Sequence, residues 1–113
     1  MHEFAITQSM LEVVLKQAAA ANAEKVTGIN AVIGEMTGVI EESVKFYLEM
    51  LARGTVAEGA RLNVTSVPGR VKCRACGEIT DLRPFDFTCP KCGGVSLEVV
   101  GGRELFVESI EVT

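Results

Sequence analysis

The sequence predicts an α+β fold: a three-stranded mixed sheet with two helices on one face, and a cysteine-rich insert before the last strand. Three observations carry this. Two stretches with helical apolar spacing alternate with two short stretches in which every second residue is apolar. All four cysteines fall between Cys73 and Cys92, in a segment with no helical period. The chain then returns to strand character in ELFVESIEV, after Gly101–Gly102.

The first helix is expected from Ala5 to about Ala23. Ile6, Met10, Val14 and Ala18 step by four, Leu11 and Leu15 lie beside them, and Ala18–Ala21 has high helix propensity. Its start is open between Ala5 and a Ser9–Glu12 capping box. In TGINAVIGEM, Ile29, Ala31 and Ile33 share one face, as a strand requires. A second helix is expected from Glu41 to Arg53, with Val44, Tyr47, Leu48 and Leu51 as its stripe, Glu41 and Glu42 at the positive end of the dipole, and Gly54 as terminator. RLNVTSV (61–67) reads as a strand with Leu62 and Val64 inward. In the closing strand Phe106, Ile110 and Val112 should face away from Leu105 and Val107. The strand–helix–strand unit should cross over right-handed, making its two strands parallel. Pro68–Gly69 and Gly101–Gly102 bracket the insert. The expected organisation is therefore one α/β domain, residues 1–69 and 102–113, with residues 70–101 inserted as a second, small domain.

At 113 residues and 48% apolar composition the chain can bury a modest core. A body of this size buries only about 60–65% of its unfolded surface, so an extra staple is expected. Eleven basic and fifteen acidic side chains give a formal charge of −4, which argues against a general polyanion binder. No positive n-region precedes an apolar run, and no stretch is long enough to span a membrane. The expected location is cytoplasmic, with no membrane partner, and cysteines there are metal ligands or redox thiols before they are structural disulfides.

CRACG (73–77) and CPKCG (89–93) are two Cys-x-x-Cys-Gly knuckles. Two intervening residues let both sulfurs of a knuckle turn to one point, and the following glycine accepts a tight backbone that aims amides at them. Two such turns make a tetrahedral S₄ cage from Cys73, Cys76, Cys89 and Cys92, suited to zinc. Iron also accepts four thiolates. A rubredoxin-like iron site would sit in an aromatic pocket, and between the knuckles only Phe85 and Phe87 are aromatic. Zn(II) is the better occupant. Four protein ligands close its coordination sphere, so it is structural: the insert is a zinc ribbon that folds on its metal.

The chain opens MHEFAIT and uses no other histidine. The α-amine of Met1, the deprotonated backbone nitrogen of His2 and the His2 imidazole can close fused chelate rings around a metal. A fourth donor can come from the Glu3 amide, the Glu3 carboxylate or water. Planar nitrogen donors suit Ni(II) or Cu(II), and an octahedral variant with oxygen donors still suits nickel. The bland alternative is a solvated histidine in a frayed end, with Glu3 as a helix-start acid.

The initial MHEF, the Gly34–Glu35 pair after the first strand, the paired knuckles and the closing ELFVESIEV together resemble the hydrogenase nickel-incorporation proteins, HypA with its HybF variants. The resemblance covers essentially the whole chain, and the combination of knuckles with an initial Met-His-Glu is its specific part. It implies a nickel metallochaperone, not an enzyme, that acts with the GTPase HypB to load Ni(II), a transient cargo, into the large subunit of [NiFe] hydrogenase. In some bacteria it extends to urease maturation. By position, His2 carries over as nickel ligand with Met1 and Glu3 supplying neighbouring donors, and the four cysteines as zinc ligands. Phe4 fills the usual apolar fourth position. Glu35 also matches, but a strand-end carboxylate is more often solvated than functional, and it is left out of the site. No nucleophile–base pair or phosphate loop is apparent. The alternatives are a zinc-ribbon nucleic-acid module using Arg70, Lys72, Arg74 and Lys91 on phosphate, and a thiol oxidoreductase built on one Cys-x-x-Cys.

Overall fold

A computed structural model describes residues 2–83 and 85–113. Helix α1 runs Glu3–Ala20, strand β1 Val26–Gly34, helix α2 Glu41–Leu51, and strand β2 Arg61–Val67. Strands β3 (Arg70–Cys73), β4 (Ile79–Asp81) and β5 (Leu97–Gly101) follow, and β6 (Leu105–Val112) closes the chain. The first sheet has the order β2-β1-β6, with β1–β2 parallel and β1–β6 antiparallel. It is the expected mixed three-stranded sheet. A second antiparallel sheet, β4-β3-β5, is made wholly from the cysteine segment.

Both helices cover one face of the first sheet. Met10, Leu11, Val14 and Ala18 of α1 and Val44 and Leu48 of α2 meet Ile29 and Ala31 of β1 and Leu62 of β2 in one cluster. Val14, Val44 and Val26 are fully buried, each contributing about 1.5–3 kcal/mol of burial free energy. On the other face the Asn63 side-chain amide donates to the Asn30 Oδ1 (2.9 Å) and the Asn30 Nδ2 donates to the Ser109 hydroxyl (3.0 Å), a polar row across all three strands.

Three boundaries differ from expectation, each for a local reason. Helix α1 begins at Glu3 and runs unbroken past Ser9, because the His2 carbonyl already accepts the Ile6 amide (2.9 Å) and makes His2 the N-cap. It ends at Ala20, three residues early, at Asn22 with φ 51°. There the Asn22 amide donates to Ala19 and the Ala23 amide to Ala18, both characteristic of a Schellman motif with asparagine in the left-handed position. Helix α2 stops at Leu51, not Arg53, although Gly54 does take positive φ, 78°.

The closing strand corrects a face assignment. The register shifts between Asn30↔Ser109 and Ala31↔Val107, so Glu108 is the extra residue of a β-bulge. The bulge moves the strand out of phase, and Val107 and Ile110 both pack on the helix-covered core. Strict alternation would have put them on opposite faces.

The two sheets are joined by the Val67–Arg70 and Gly101–Leu105 crossings, and the 3₁₀ turn Glu35–Thr37 lies against both. The Met36 amide donates to the Gly102 carbonyl (2.7 Å) and the Gly34 amide to that of Glu104 (2.7 Å). Glu35 is not merely solvated, since its carboxylate accepts the Gly69 amide (3.3 Å). The molecule measures 55 × 24 × 17 Å, an elongation that follows from the second sheet extending beyond the first.

Candidate metal centres

The cysteine cluster is built by two matching turns. In each, the glycine after the second cysteine takes positive φ (Gly77 79°, Gly93 75°), which β-carbon-bearing residues resist. Its amide returns to the first cysteine's carbonyl: Gly77 to Cys73 and Gly93 to Cys89, both 2.8 Å. Each first cysteine in turn donates its amide five residues ahead, Cys73 to Glu78 (2.9 Å) and Cys89 to Gly94 (2.8 Å). The turns face each other, so the short sulfur contacts cross between them: Cys73 to Cys92 and Cys76 to Cys89, each 3.6 Å. All four sulfurs lie within 4.8 Å of one another. A tetrahedral zinc with Zn–S bonds of about 2.3 Å needs sulfurs about 3.8 Å apart, so the donor set fits that ion.

The thiols divide into two kinds. Amides of Cys76 and Ala75 hold the Cys73 thiol below its usual range despite burial. Amides of Cys92 and Lys91 likewise bring Cys89 down to about 7. Cys76 receives the Glu78 amide, which works in the opposite sense. Burial and hydrogen bonds to the other three sulfurs outweigh it and push Cys76 up to about 12. The readily ionised sulfurs are therefore the buried ones, Cys73 and Cys89, while Cys76 and Cys92 are exposed.

The basic residues that might have contacted phosphate are largely engaged. Arg70 pairs with Asp81 (3.2 Å), Arg74 with Glu98 (3.8 Å), Arg83 with Asp86 (2.8 Å) and Lys91 with Glu78 (3.5 Å). Every carboxylate between residues 70 and 101 thus faces a cation. A nucleic-acid surface requires cations left over for phosphate.

At the amino end, Met1 lies outside the described residues. His2 is exposed, and as N-cap it leaves the first amides of α1 without helical acceptors. Glu3 turns the other way: it is only 8% exposed, and its carboxylate accepts the Ile40 amide (3.2 Å) where α2 begins. Its own amide, chiefly, then that of Ile40 and the positive charge at the chain's start, hold the Glu3 carboxyl below its usual range against the cost of burial. Thr7, fully buried, donates its hydroxyl to the Glu3 carbonyl (2.6 Å). Phe4 packs edge-on against Tyr47 of α2 (5.4 Å between ring centres). The first turn of α1 is thus fastened to α2 immediately beside the exposed imidazole.

The sequence did not reveal this fastening, because the Glu3–Ile40 contact spans 37 positions and carries no local pattern. A depressed carboxyl stabilises its contact above the unfolded pKa and loses it as pH falls through the folded one. Amide exchange at Ile40 should therefore accelerate once the pH drops below the ordinary carboxylate range. In Glu3→Ala it should be fast at every pH, as hydrogen exchange read by NMR would establish. An Ile40 rate equal in variant and parent would show that the carboxylate does not hold α2.

The family profile described as "Hydrogenase/urease nickel incorporation, metallochaperone, hypA" matches residues 1–112. The chain belongs to the HypA family. Among similar proteins, the hydrogenase maturation factor HypA of Dehalococcoides mccartyi is 43% identical over 112 residues, covering 99% of this chain and 94% of its own. That of Caldanaerobacter subterraneus subsp. tengcongensis is 42% identical over 113 residues, covering 99% of both. Solved structures agree on the fold. A solution structure of a HypA protein superposes with TM-score 0.74 at 21% identity, covering 100% of this chain and 97% of that one. The solution structure of the Ni metallochaperone HypA from Helicobacter pylori gives 0.66 at 19%, covering 99% and 97%. HypA membership makes this chain a member of a nickel metallochaperone family of hydrogenase and urease maturation, with a zinc-ribbon-like cysteine cluster. Among the described residues, no helix is long and apolar enough to cross a membrane.

Proposed function

We propose that this chain binds Ni(II) through Met1, His2 and Glu3 and delivers it to the large subunit of [NiFe] hydrogenase, receiving it from the GTPase HypB or from solution. The nickel-binding domain comprises residues 1–69 and 102–113. Residues 70–101 form an inserted zinc ribbon in which Cys73, Cys76, Cys89 and Cys92 hold Zn(II). The zinc, when bound, supplies structure and no reaction chemistry. The family description names urease as well, so urease maturation is a second destination of the same kind.

One observation carries the nickel reading: His2 is exposed at the N-cap while Glu3, the next residue, is tied down to α2. A metal-binding end needs its imidazole and amides accessible, yet attached to something that keeps the chelate from fraying. The helix start provides amide nitrogens without helical acceptors, and its dipole favours the negative charge left when a coordinating amide loses its proton. Few donors at a chain end also release cargo easily, since ligands exchange one arm at a time. Soft thiolates on an acceptor would draw the ion forward. Cytoplasmic location is part of this reading.

The test is a Ni(II) titration of the zinc-loaded protein. One equivalent should bind the parent, and His2→Ala should weaken it by about 100-fold or more, since a ligand is lost outright. A peptide tag fused ahead of Met1 should weaken it too, by displacing the α-amine. Equal binding by parent and His2→Ala would remove the site.

A further inference from the structure

We propose that Met36 is a reversible oxidation site, and that its sulfoxide loosens the joint between the helix-covered sheet and the cysteine lobe.

Met36 lies in the 3₁₀ turn after β1, and its side chain fills a notch made by one glycine from each crossing. A β-carbon added at Gly69 would lie 3.0 Å from the Met36 Sδ. One added at Gly102 would lie 2.9 Å from the Met36 Cγ and 2.7 Å from the Gly69 Cα. The thioether is thus packed against both chain segments that connect the sheets. Its sulfur can nevertheless be reached. The notch borders a crevice of about 300 Å³ that Glu35, Leu82 and Phe87 also line, and Met36 is 38% exposed. Met10 is 8% exposed and belongs to the main core, whereas Met50 is 40% exposed on α2 and lies outside that core. Among the described methionines, only Met36 is both accessible and packed at the joint.

The oxidant is a hydroperoxide, of which hydrogen peroxide is the simplest. The sulfur attacks one peroxide oxygen, the O–O bond breaks as an S–O bond forms, and the other oxygen leaves as water with both hydrogens. Sulfur gives up two electrons and the peroxide takes them. A dithiol reductase reverses the step: its two thiols become a disulfide and the sulfoxide oxygen leaves as water. The new oxygen is a strong acceptor, and the glycine amides of the notch are already committed. That of Gly69 donates to the Glu35 carboxylate (3.3 Å) and that of Gly102 to the Glu104 carboxylate (2.8 Å). An acceptor packed without a donor is costly, so the sulfoxide turns out to water and draws the side chain from the notch. Across the joint there remain hydrogen bonds without the packing that supported them, chiefly Met36 to Gly102 and Gly34 to Glu104. The cysteine lobe then turns more freely.

The experiment treats the full-length, zinc-loaded chain with hydrogen peroxide. Peptide mass spectrometry locates the added oxygen, hydrogen exchange reads the joint, and residual dipolar couplings read the lobe's orientation. Met36 and Met50 should each gain one oxygen while Met10 stays reduced. Exchange at the Gly34 and Met36 amides should rise about tenfold or more, with Ile29 and Ala31 unchanged. Couplings of β3 and β5 should shrink relative to those of β1. A methionine sulfoxide reductase should restore the parent's values. Met36→Leu keeps the volume without the sulfur and should show the parent's exchange before and after peroxide, whereas Met50→Leu should respond as the parent does. Met36→Gln places a polar group there without oxidant and should match the oxidised parent. A Met36 sulfoxide with unchanged exchange at Gly34 and Met36 overturns the proposal. So does an equal rise in peroxide-treated Met36→Leu, which assigns the effect to the cysteines or to Met50. A Met36 that stays reduced while Met50 is converted overturns it by showing the sulfur shielded, and rates that the reductase cannot restore overturn it by removing the reversibility.

Discussion

Replacing Cys89 with serine should remove stoichiometric zinc and unfold the cysteine lobe while leaving the helix-covered sheet intact. Among the described residues between 70 and 101 the only buried hydrophobic side chains are Val71, Cys73 and Cys89, and two of these are proposed ligands. One buried valine with the half-buried Leu82, Leu97 and Val99 cannot offset the backbone entropy of ordering that segment, at about 1–2 kcal/mol per residue. A structural zinc contributes about 10–16 kcal/mol in small zinc-dependent folds, enough to make the difference. The main core draws on α1, β1, α2, β2 and β6 and includes no residue of the insert. Amide spectra should therefore lose the dispersed signals of β3, β4 and β5 and keep those of β1, β2 and β6. Stripping the parent with a chelator should do the same. Acid should favour release, because protons compete for thiolates and Cys76, at about 12 in the metal-free lobe, must give its proton up when the ion enters. A chelated protein that kept its β3–β5 signals would show that the lobe folds without metal.

How much of this was legible beforehand depended on how local the cause was. The helical stripes, the β1 and β2 alternation and the two knuckles are properties of neighbouring residues, and the structure uses them much as written. The end of α1 was also written locally, in Asn22, but the alanine run before it conceals a stop signal that glycine would have announced. The bulge at Glu108 was not legible, because ELFVESIEV alternates acceptably in either phase and only pairing with β1 selects one. The strands of the cysteine lobe do alternate, with Val71 and Cys73 inward in β3 and Leu97 and Val99 in β5, but each runs for only three to five residues, too short for its period to stand out in the sequence. The candidate sites divide the same way. Cysteine spacing anticipated the sulfur cluster, whereas the attachments of Glu3 to Ile40 and of Glu35 to Gly69 join positions more than thirty residues apart.

Gly34→Ala should be the most damaging single methyl addition in the sheet. Its backbone is ordinary extended chain (φ −78°, ψ 146°), so conformation is not the obstacle. Space is: an added Cβ would fall on the Gly102 carbonyl and lie 2.8 Å from the Arg103 nitrogen. These are backbone atoms and cannot rotate aside. Relief requires moving the Gly101–Leu105 crossing off β1, which breaks the 2.7 Å bonds from Gly34 to Glu104 and from Met36 to Gly102. Overpacking at about 1–3 kcal/mol and two hydrogen bonds at about 1 kcal/mol each add to roughly 3–5 kcal/mol. That should lower the melting temperature by roughly 10 °C or more. Gly28→Ala is the matched control in the same strand. Its Cβ would meet the Glu111 carboxylate, the far end of a flexible side chain, which can swing away at a cost below about 1 kcal/mol. Thermal unfolding of the two variants separates the cases: equal midpoints would mean that the crossing yields as easily as a side chain. In that event the close backbone contact between β1 and the Gly101–Leu105 crossing would not be what fixes the cysteine lobe to the sheet.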